Sequence, residues 1–439
     1  MKLSEFKTLD KLEDEMFLDN KKQINIPYKA FVPSKINHKW DFNDIQSALD
    51  LAEEVMQVIT RLDERINSIA DAGIINQEAI IRMIANKESN ESSVIEGTQT
   101  MIEDAFSDIK LLAPEKRENA EELQNYIKAL DYGIDNLSKI PLSEDKEPGK
   151  LPLSERLIKS IHDKLMNGVR GGRKRPGEFK DKQNYIGQNE ADDISKAIFI
   201  PPHPKHTTDL MKDLFELANQ ESYRPSYKLI IIALLHYQFE TVHPFNDGNG
   251  RIGRMIIILY LMQHRIINCK GIYLSAYFQK HRDRYYTYLT EIRETANFKT
   301  PTSELNLFNE EWIRYQDNAK KHYLTINKWI EFFLNGLKET ANDGLKVIAS
   351  SIALKREYIK TIEEKSKDQR EYKTMIAILD AMFEKPFFTA KELSEISKIS
   401  SPAVNKVILK FIQLDILKEV TGYKRNRNYT LWRFVELFR

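Results

Sequence analysis

His243-Pro244-Phe245-Asn246-Asp247-Gly248-Asn249-Gly250-Arg251-Ile252-Gly253-Arg254 is the stretch on which the reading of this chain turns. It sits between two apolar helical runs, about Ser226–Gln238 and about Ile252–Gln263. Two glycines free the backbone to turn tightly and aim its amides inward as a nest. The first amides of the following helix are also unpaired and carry the positive end of its dipole. Arg251 and Arg254 lie three apart, so both can face one side of the first turn and offer fixed, charge-assisted donors to phosphate oxygens. Together these features predict a polyphosphate site. Asp247, at the mouth of the loop, would repel phosphates unless a cation intervened, which suits Mg²⁺. His243 has an intrinsic pKa near 6.5, so its neutral form can accept a proton at physiological pH. Phe245 and Pro244 are assigned to packing and stiffening of the loop.

Outward from this centre the chain reads as mainly helical. Upstream, Ile45, Leu49, Leu51, Val55, Ile59, Leu62, Ile66 and Ile69 recur at mostly three- and four-residue spacing, one face of an amphipathic helix that ends near Gly73. A second helix is expected over Gln77–Lys87. Ser92 or Ser93 is expected to cap a third that runs from Val94 through Met101, Ala105 and Ile109. Further helices are expected over Glu118–Tyr132, after Ser154, and over Thr207–Asn219. Ala197-Ile198-Phe199-Ile200, ahead of Pro201-Pro202-His203-Pro204, reads as a short strand and turn. The first forty residues read as an extended arm. Helices are also expected over Ser275–Glu294 and around Trp329–Leu337, with a polar, insertion-like run near 297–325.

The tail changes character near residue 370. A helix at Thr374–Phe383, a capping box from Thr389 to Glu392, and a helix opening at Ser400 or Ser401 precede two short strands around Gly422. That is the order of a winged helix-turn-helix. The expected divisions are 1–145, an N-terminal arm and helical region; 146–345, the core; 346–370, a linker helix; and 371–439, the tail domain. From Glu371 to Arg439 there are 12 Lys/Arg against 8 Asp/Glu. Lys424, Arg425 and Arg427 in the wing and Asn405, Lys406 and Lys410 on the third helix leave DNA contact and protein contact, including a homodimer, both open.

Composition narrows the class. The 439 residues are 41% hydrophobic and 30% charged with a formal net charge of +1, which argues against a surface that is wholly a nucleic-acid platform. The single cysteine, Cys269, cannot form an internal disulfide or a thiolate zinc site. The longest apolar runs, Leu229–Leu235 and Met255–Met262, fall far short of the roughly 18 residues of a membrane span. With no secretory pattern at the N-terminus, a cytoplasmic protein is expected.

The motif at 243–254 resembles that of the Fic family, HxFx(D/E)GNGRxxR, at every position, and the family implies a helical core carrying a small β-hairpin flap. Members commonly transfer AMP from ATP to a protein hydroxyl. The resemblance implies that His243 is the general base toward a target Ser, Thr or Tyr, that Asp247 coordinates Mg²⁺, and that Gly248, Asn249 and Gly250 form the anion hole, followed by Ile252 and Gly253. It gives the phosphate chain to Arg251 and Arg254, with Arg254 nearer the γ-phosphate. Ser92-Ser93-Val94-Ile95-Glu96-Gly97 resembles the family's inhibitory segment, which implies that Glu96 occupies Arg254 and restrains transfer. Gln183-Asn184-Tyr185-Ile186-Gly187 resembles a stretch of the same subgroup. Ile198–Pro204 resembles the flap that aligns a target protein, or the chain itself, by strand pairing. The family often has asparagine where this chain has His281; Arg282 through Tyr286 fit, and Tyr285 is the expected neighbour of the adenosine. Removal of AMP, transfer of another phosphate-containing group, and a DNA-binding regulator with a vestigial nucleotide site are the competing readings.

Overall fold

The computed structural model describes residues 11–19, 24–34, 46–72, 75–98, 114–140, 149–168, 175–187, 193–221, 224–296, 310–421 and 427–439. In chain order the elements begin with β1 (Lys11–Asp19), β2 (Ile24–Val32), α1 (Gln46–Ala72), α2 (Gln77–Ile95), α3 (Pro114–Asp135) and α4 (Glu155–Leu165). There follow α5 (Pro204–Ala218), α6 (Pro225–Val242), α7 (Asn249–Gln263), α8 (Ser275–Lys280), α9 (Arg282–Ala296) and α10 (Glu310–Lys365). The chain closes with α11 (Gln369–Glu384), β3 (Phe387–Thr389), α12 (Ala390–Ser397), α13 (Ser401–Gln413), β4 (Lys418–Glu419), β5 (Asn428–Thr430) and α14 (Trp432–Glu436). The fold is mainly α with small antiparallel sheets, β1–β2 and β3–β5–β4. No described helix is long and apolar enough to cross a membrane.

The residues group into two units, neither of them contiguous: Met1–Gln57, Asn125–Ile266 and Tyr277–Lys338 in the first, and Val58–Gln124, Ile267–Ala276 and Glu339–Arg439 in the second. In the first unit, α6 and α7 are buried over almost their whole lengths. Helices apolar all round belong in a core, with neighbours on every side. Trp329 of α10 is fully buried and its indole Nε1 donates to the Ala233 carbonyl at 2.9 Å. Gln263 ends α7 as a buried junction. Its Oε1 accepts from Leu153 N at 2.7 Å, its Nε2 donates to Ala218 O at 3.3 Å and Asn219 Oδ1 at 3.0 Å, and its carbonyl accepts from Ile140 N at 2.8 Å. In the second unit, buried Glu88 of α2 accepts from Ser275 N at 3.1 Å and Ser275 Oγ at 2.5 Å. Asp63 accepts from Asn268 N at 2.9 Å and Cys269 N at 3.2 Å. Thr389 and Glu392 form the reciprocal capping box that opens α12.

Several expectations are corrected. Residues 11–19 and 24–32 form an antiparallel hairpin where an extended arm was expected, with Pro27 opposite Met16. The helix starting at Gln77 runs on to Ile95, so Ser92 and Ser93 are buried in its last turns and cap nothing. Ser93 Oγ donates to the Ser89 carbonyl at 2.9 Å and Ser89 Oγ to Leu123 O at 2.9 Å, so the polar run Lys87–Ser93 finds its partners without leaving the helix. The continuation expected through Met101 and Ile109 lies outside the described residues. At 197–200 there is an isolated bridge, Ile186 to Phe199, preceded by a 3-10 turn at Ile194–Lys196, and no strand. Pro201, Pro202 and Pro204 lack the N–H groups a longer ladder needs. Within the polar run, residues from Glu310 are helical, and α10 continues through the expected linker to Lys365. Its glycines fit close neighbours: a Cβ on Gly336 would lie 2.7 Å from Tyr277 Cδ1, and one on Gly344 3.0 Å from Leu62 Cδ1.

Replacing Gln263 with Leu keeps the side-chain volume but leaves Leu153 N–H without its buried acceptor and Asn219 Oδ1 without its donor. Gln263→Leu should lower the unfolding free energy by about 1–3 kcal/mol in chemical denaturation.

Candidate functional site

Helix α6 ends inside the first unit, and its terminus is held by an unusual set of donors. His243 is the C-cap, in the left-handed region at φ 48°, ψ 60°. A buried carbonyl must find a donor, and here four in succession do. Lys180 Nζ donates to Val242 O at 3.1 Å, and Asn184 Nδ2 to His243 O and to Phe245 O, each at 2.9 Å. Lys180 N donates to Pro244 O at 2.8 Å. The two side chains are joined, Lys180 Nζ to Asn184 Oδ1, at 2.9 Å. Burial pulls the Lys180 amine well below its ordinary pKa.

The far side of the loop is fixed by Asn249 and His162. Asn249 Oδ1 accepts from Phe245 N and its Nδ2 donates to Phe245 O, both at 2.8 Å. His162 stacks on Phe245 with centroids 3.8 Å apart and 6° between planes. Its Nδ1 accepts from Gly177 N at 2.9 Å, which leaves the proton on Nε2, donating to Asp247 O at 3.0 Å. Burial drives its pKa down to about 4. The turn into α7 requires Gly248, at φ +75°, where a Cβ would also meet Met166 Sδ at 3.0 Å.

These contacts correct the picture of a glycine nest. Helix α7 begins at Asn249, so Gly250 lies in its first turn and, of the two loop glycines, only Gly248 takes the left-handed conformation. The Asn249 side chain is engaged in bracing the loop; what it offers a ligand is its backbone amide. Gly248 provides no side-chain cap, so the first-turn amides at 249–251 form the receptive N-terminus. Asp247 Oδ1 accepts from Gly248 N at 2.7 Å and lies 3.9 Å from Arg251 Nη2. Arg251 and Arg254 are both buried, at 8% and 4% exposure, so their charges are held in a shielded setting. Ile252 is core, and Gly253 leaves room for Glu240, whose carboxylate an added Cβ would strike.

His243 is partly exposed, yet its ring is neutral at physiological pH. Burial, then the nearby charges of Lys180 and Arg293, lower its pKa to about 3. Arg293 is itself buried; its Nε donates to Thr241 Oγ1 at 3.2 Å, its Nη2 to Glu240 O at 3.3 Å, and its guanidinium lies 3.8 Å from the Phe199 ring centroid. Tyr285 is enclosed, at 1% exposure, with its hydroxyl 3.0 Å from His236 Nε2 and His236 Nδ1 3.2 Å from Gly253 O. It stands behind α7 and has no solvent-facing surface for an adenosine, whereas Tyr286 is 40% exposed. Glu96 lies in the second unit, exposed, at the C-cap of α2. There Gly97 N donates to Val94 O at 2.9 Å and Thr98 N to Ser93 O at 3.1 Å, with Gly97 at φ +90°. This is a Schellman termination, so the Ser-x-x-x-Glu-Gly spacing marks a helix end.

Among the described residues no cluster of three His, Cys, Asp or Glu could hold a metal. One partly exposed carboxylate beside a phosphate-receptive helix end fits an ion that completes its shell with phosphate oxygens, the manner in which Mg²⁺ is usually held. Sequence reasoning missed Lys180, His162 and Arg293. Asn184 lay in a quoted stretch, but its role did not; lysine and histidine in a loop and a helix carry no signal of what they will reach.

Residues 152–261 match the Fic/DOC family model, and residues 50–135 match the Fic/DOC family N-terminal model. Similar proteins include the protein adenylyltransferase Fic of Culex quinquefasciatus, 32% identical over 119 residues, which are 27% of this chain and 20% of that protein. A probable protein adenylyltransferase of Aquifex aeolicus is 33% identical over 145 residues, 33% of this chain and 38% of that protein. The chain thus spans from a fifth to two fifths of the length of these relatives. Among solved structures, a Fic family protein from Desulfovibrio desulfuricans aligns with a TM-score of 0.47 and 17% identity, over 87% of this chain and 95% of that one.

A histidine held neutral in the fold must charge when it unfolds in acid. With a folded pKa near 4 and an ordinary value of 6.5, His162 contributes stability that is complete above about pH 6.5 and lost as pH falls toward 4. Denaturant midpoints should fall across that window, by an amount on the order of 3 kcal/mol for this residue, and His162→Gln should flatten the slope.

Proposed function

We propose that the chain is a Fic-type protein adenylyltransferase that moves AMP from ATP to a Ser, Thr or Tyr hydroxyl, on another protein or on itself. The observation that carries the reading is the braced loop: one set of donors fixes a neutral His243 at the end of α6, and six residues later α7 begins without a side-chain cap and carries buried Arg251 and Arg254 in its first turns. Amides 249–251 and the two guanidiniums hold the polyphosphate. Asp247 would hold the Mg²⁺ that accompanies ATP, and the ion would neutralise charge on the leaving pyrophosphate. The acceptor oxygen attacks the α-phosphorus, the bond to the bridging oxygen of pyrophosphate breaks with its electron pair, and His243 takes the hydroxyl proton. A base with a pKa near 3 is weak by itself. Bound phosphate charge beside it raises its basicity when it is needed.

Glu96 is the restraint in this reading. Its carboxylate competes with the γ-phosphate for Arg254, so that ATP binds with its α-phosphorus misaligned. A carboxylate at a helix C-terminus faces the negative end of the dipole and gains from pairing with an arginine. The tail, with its net positive charge, is assigned to contact with protein or a second copy, with DNA as the alternative partner.

Incubation with Mg²⁺ and ATP labelled at the α-phosphate tests the reading. Label on protein should rise by about tenfold or more in Glu96→Gly, the effect of one freed charge-assisted contact. It should fall by roughly 10²–10⁴ when His243→Ala is added. Label arriving from the γ-phosphate instead, or unchanged transfer by Glu96→Gly with ATP still bound, would refute transfer or restraint respectively.

A further inference from the structure

The backbone at 198–200 already has a hydrogen-bonded neighbour on each side, Ile186 and Phe31. Ile186 takes one edge: its N donates to Phe199 O at 2.9 Å, and its carbonyl accepts from Ile198 N at 2.7 Å and Phe199 N at 3.2 Å. Successive extended residues direct their backbone groups to opposite sides, so Ile200 faces the other edge. There Phe31 N, of β2, donates to Ile200 O at 3.0 Å. The hairpin is seated by more than this bond. Tyr28, Ala30 and Ile194 form a buried cluster on which Phe17, Ile26, Tyr185 and Ile200 pack, and Tyr28 Oη donates to Gln183 Oε1 at 3.0 Å. The Phe31 and Phe199 rings lie 6.0 Å apart. Charges add to the seat: Glu13 lies 3.2 Å from Lys205 Nζ and 2.7 Å from His206 Nε2, and Glu15 pairs with Lys205.

We propose that the β1–β2 hairpin is an internal strand that occupies the flap edge a target segment needs, so that access to the site requires the hairpin to leave. The inference rests on the proposed AMP transfer and on the resemblance of Ile198–Pro204 to a flap that pairs with its target, and it adds a second restraint, independent of Glu96. An extended polypeptide that adds to Ile200 uses the same carbonyl that Phe31 holds, and two donors cannot both run the ladder there. The occupant has the form of what it excludes: a β-strand bonded through its backbone.

The test uses full-length chains and a fluorescein-labelled synthetic peptide of the Ile24–Val32 sequence as probe. Glu13→Lys/Glu15→Lys sets like charges against Lys205 and His206 and releases the hairpin. The probe should bind this variant at least about tenfold more tightly than it binds wild type. Adding Lys205→Glu and His206→Glu restores complementary charge and should return binding to the wild-type level. Phe31→Pro, which removes the donor to Ile200 with every charge intact, should shift binding the same way and decides the matter if circular dichroism shows the charge variant unfolded. Equal probe binding by wild type and the released variants, or a charge swap that fails to restore exclusion, overturns the proposal. In the Glu96→Gly background, labelling of β-casein, an extended acceptor rich in hydroxyls, should rise about tenfold on release. No label in any background, with probe discrimination intact, rejects AMP transfer and keeps the hairpin assignment. Equal labelling with and without release, with no probe discrimination, rejects the hairpin assignment alone.

Discussion

Helix α6 stops in the interior, and everything at the site depends on how its last carbonyls are satisfied. A helix end leaves four carbonyls without intrahelical donors, and burial away from water makes each one costly. Here Val242, His243, Pro244 and Phe245 all receive hydrogen bonds from Lys180 and Asn184. The left-handed turn at His243 is tolerable because the surroundings over-determine it, a conformation worth roughly 1–3 kcal/mol of strain for a residue other than glycine. The same clamp that ends the helix therefore positions the histidine. It also begins α7 six residues later with no side-chain cap from Gly248.

The electrostatics follow from this geometry. Lys180, Arg251, Arg254 and Arg293 are all buried in the first unit, at 9% exposure or less. Burial first, and then the charges of Lys180 and Arg293, keep His243 neutral, while Arg251 and Arg254 favour an anion at the α7 terminus. Arg293 links this interior to the flap, since its guanidinium bonds Thr241 and lies against Phe199. The flap is in turn continuous with the hairpin through Ile200 and Phe31. One hydrogen-bonded and packed path thus runs from the reacting loop to the N-terminal strands, all within one unit.

The N-terminal hairpin and the end of α2 were the elements hardest to read along the chain, for a common reason. In β1, charged residues dominate, and in β2 Pro27 interrupts an otherwise alternating run. Only the docking of Tyr28 and Ala30 on Ile194 makes the pair a sheet. In α2, Ser89, Ser92 and Ser93 are polar residues in buried positions, and polarity alone reads as a helix boundary. Their partners, the carbonyls of Leu123 and of the preceding turn, exist only in the folded chain. Sequence periodicity reports which face is apolar; it is blind to a buried hydroxyl whose acceptor lies 34 residues away.

What the sequence determined by itself was the helical class, the helices from α4 to α7, the capping box at Thr389, and the stretch, His243 to Arg254, at which the site is proposed. These rest on short-range rules: apolar spacing, capping residues, and glycine where φ is positive. Tertiary structure decided which side chains brace that stretch. It turned the Asn249 side chain back onto the loop, put Tyr285 behind α7, and recruited Lys180, Asn184, His162 and Arg293. Those choices answer a global demand, that every buried donor and acceptor be matched, and no local pattern encodes where the match will be found.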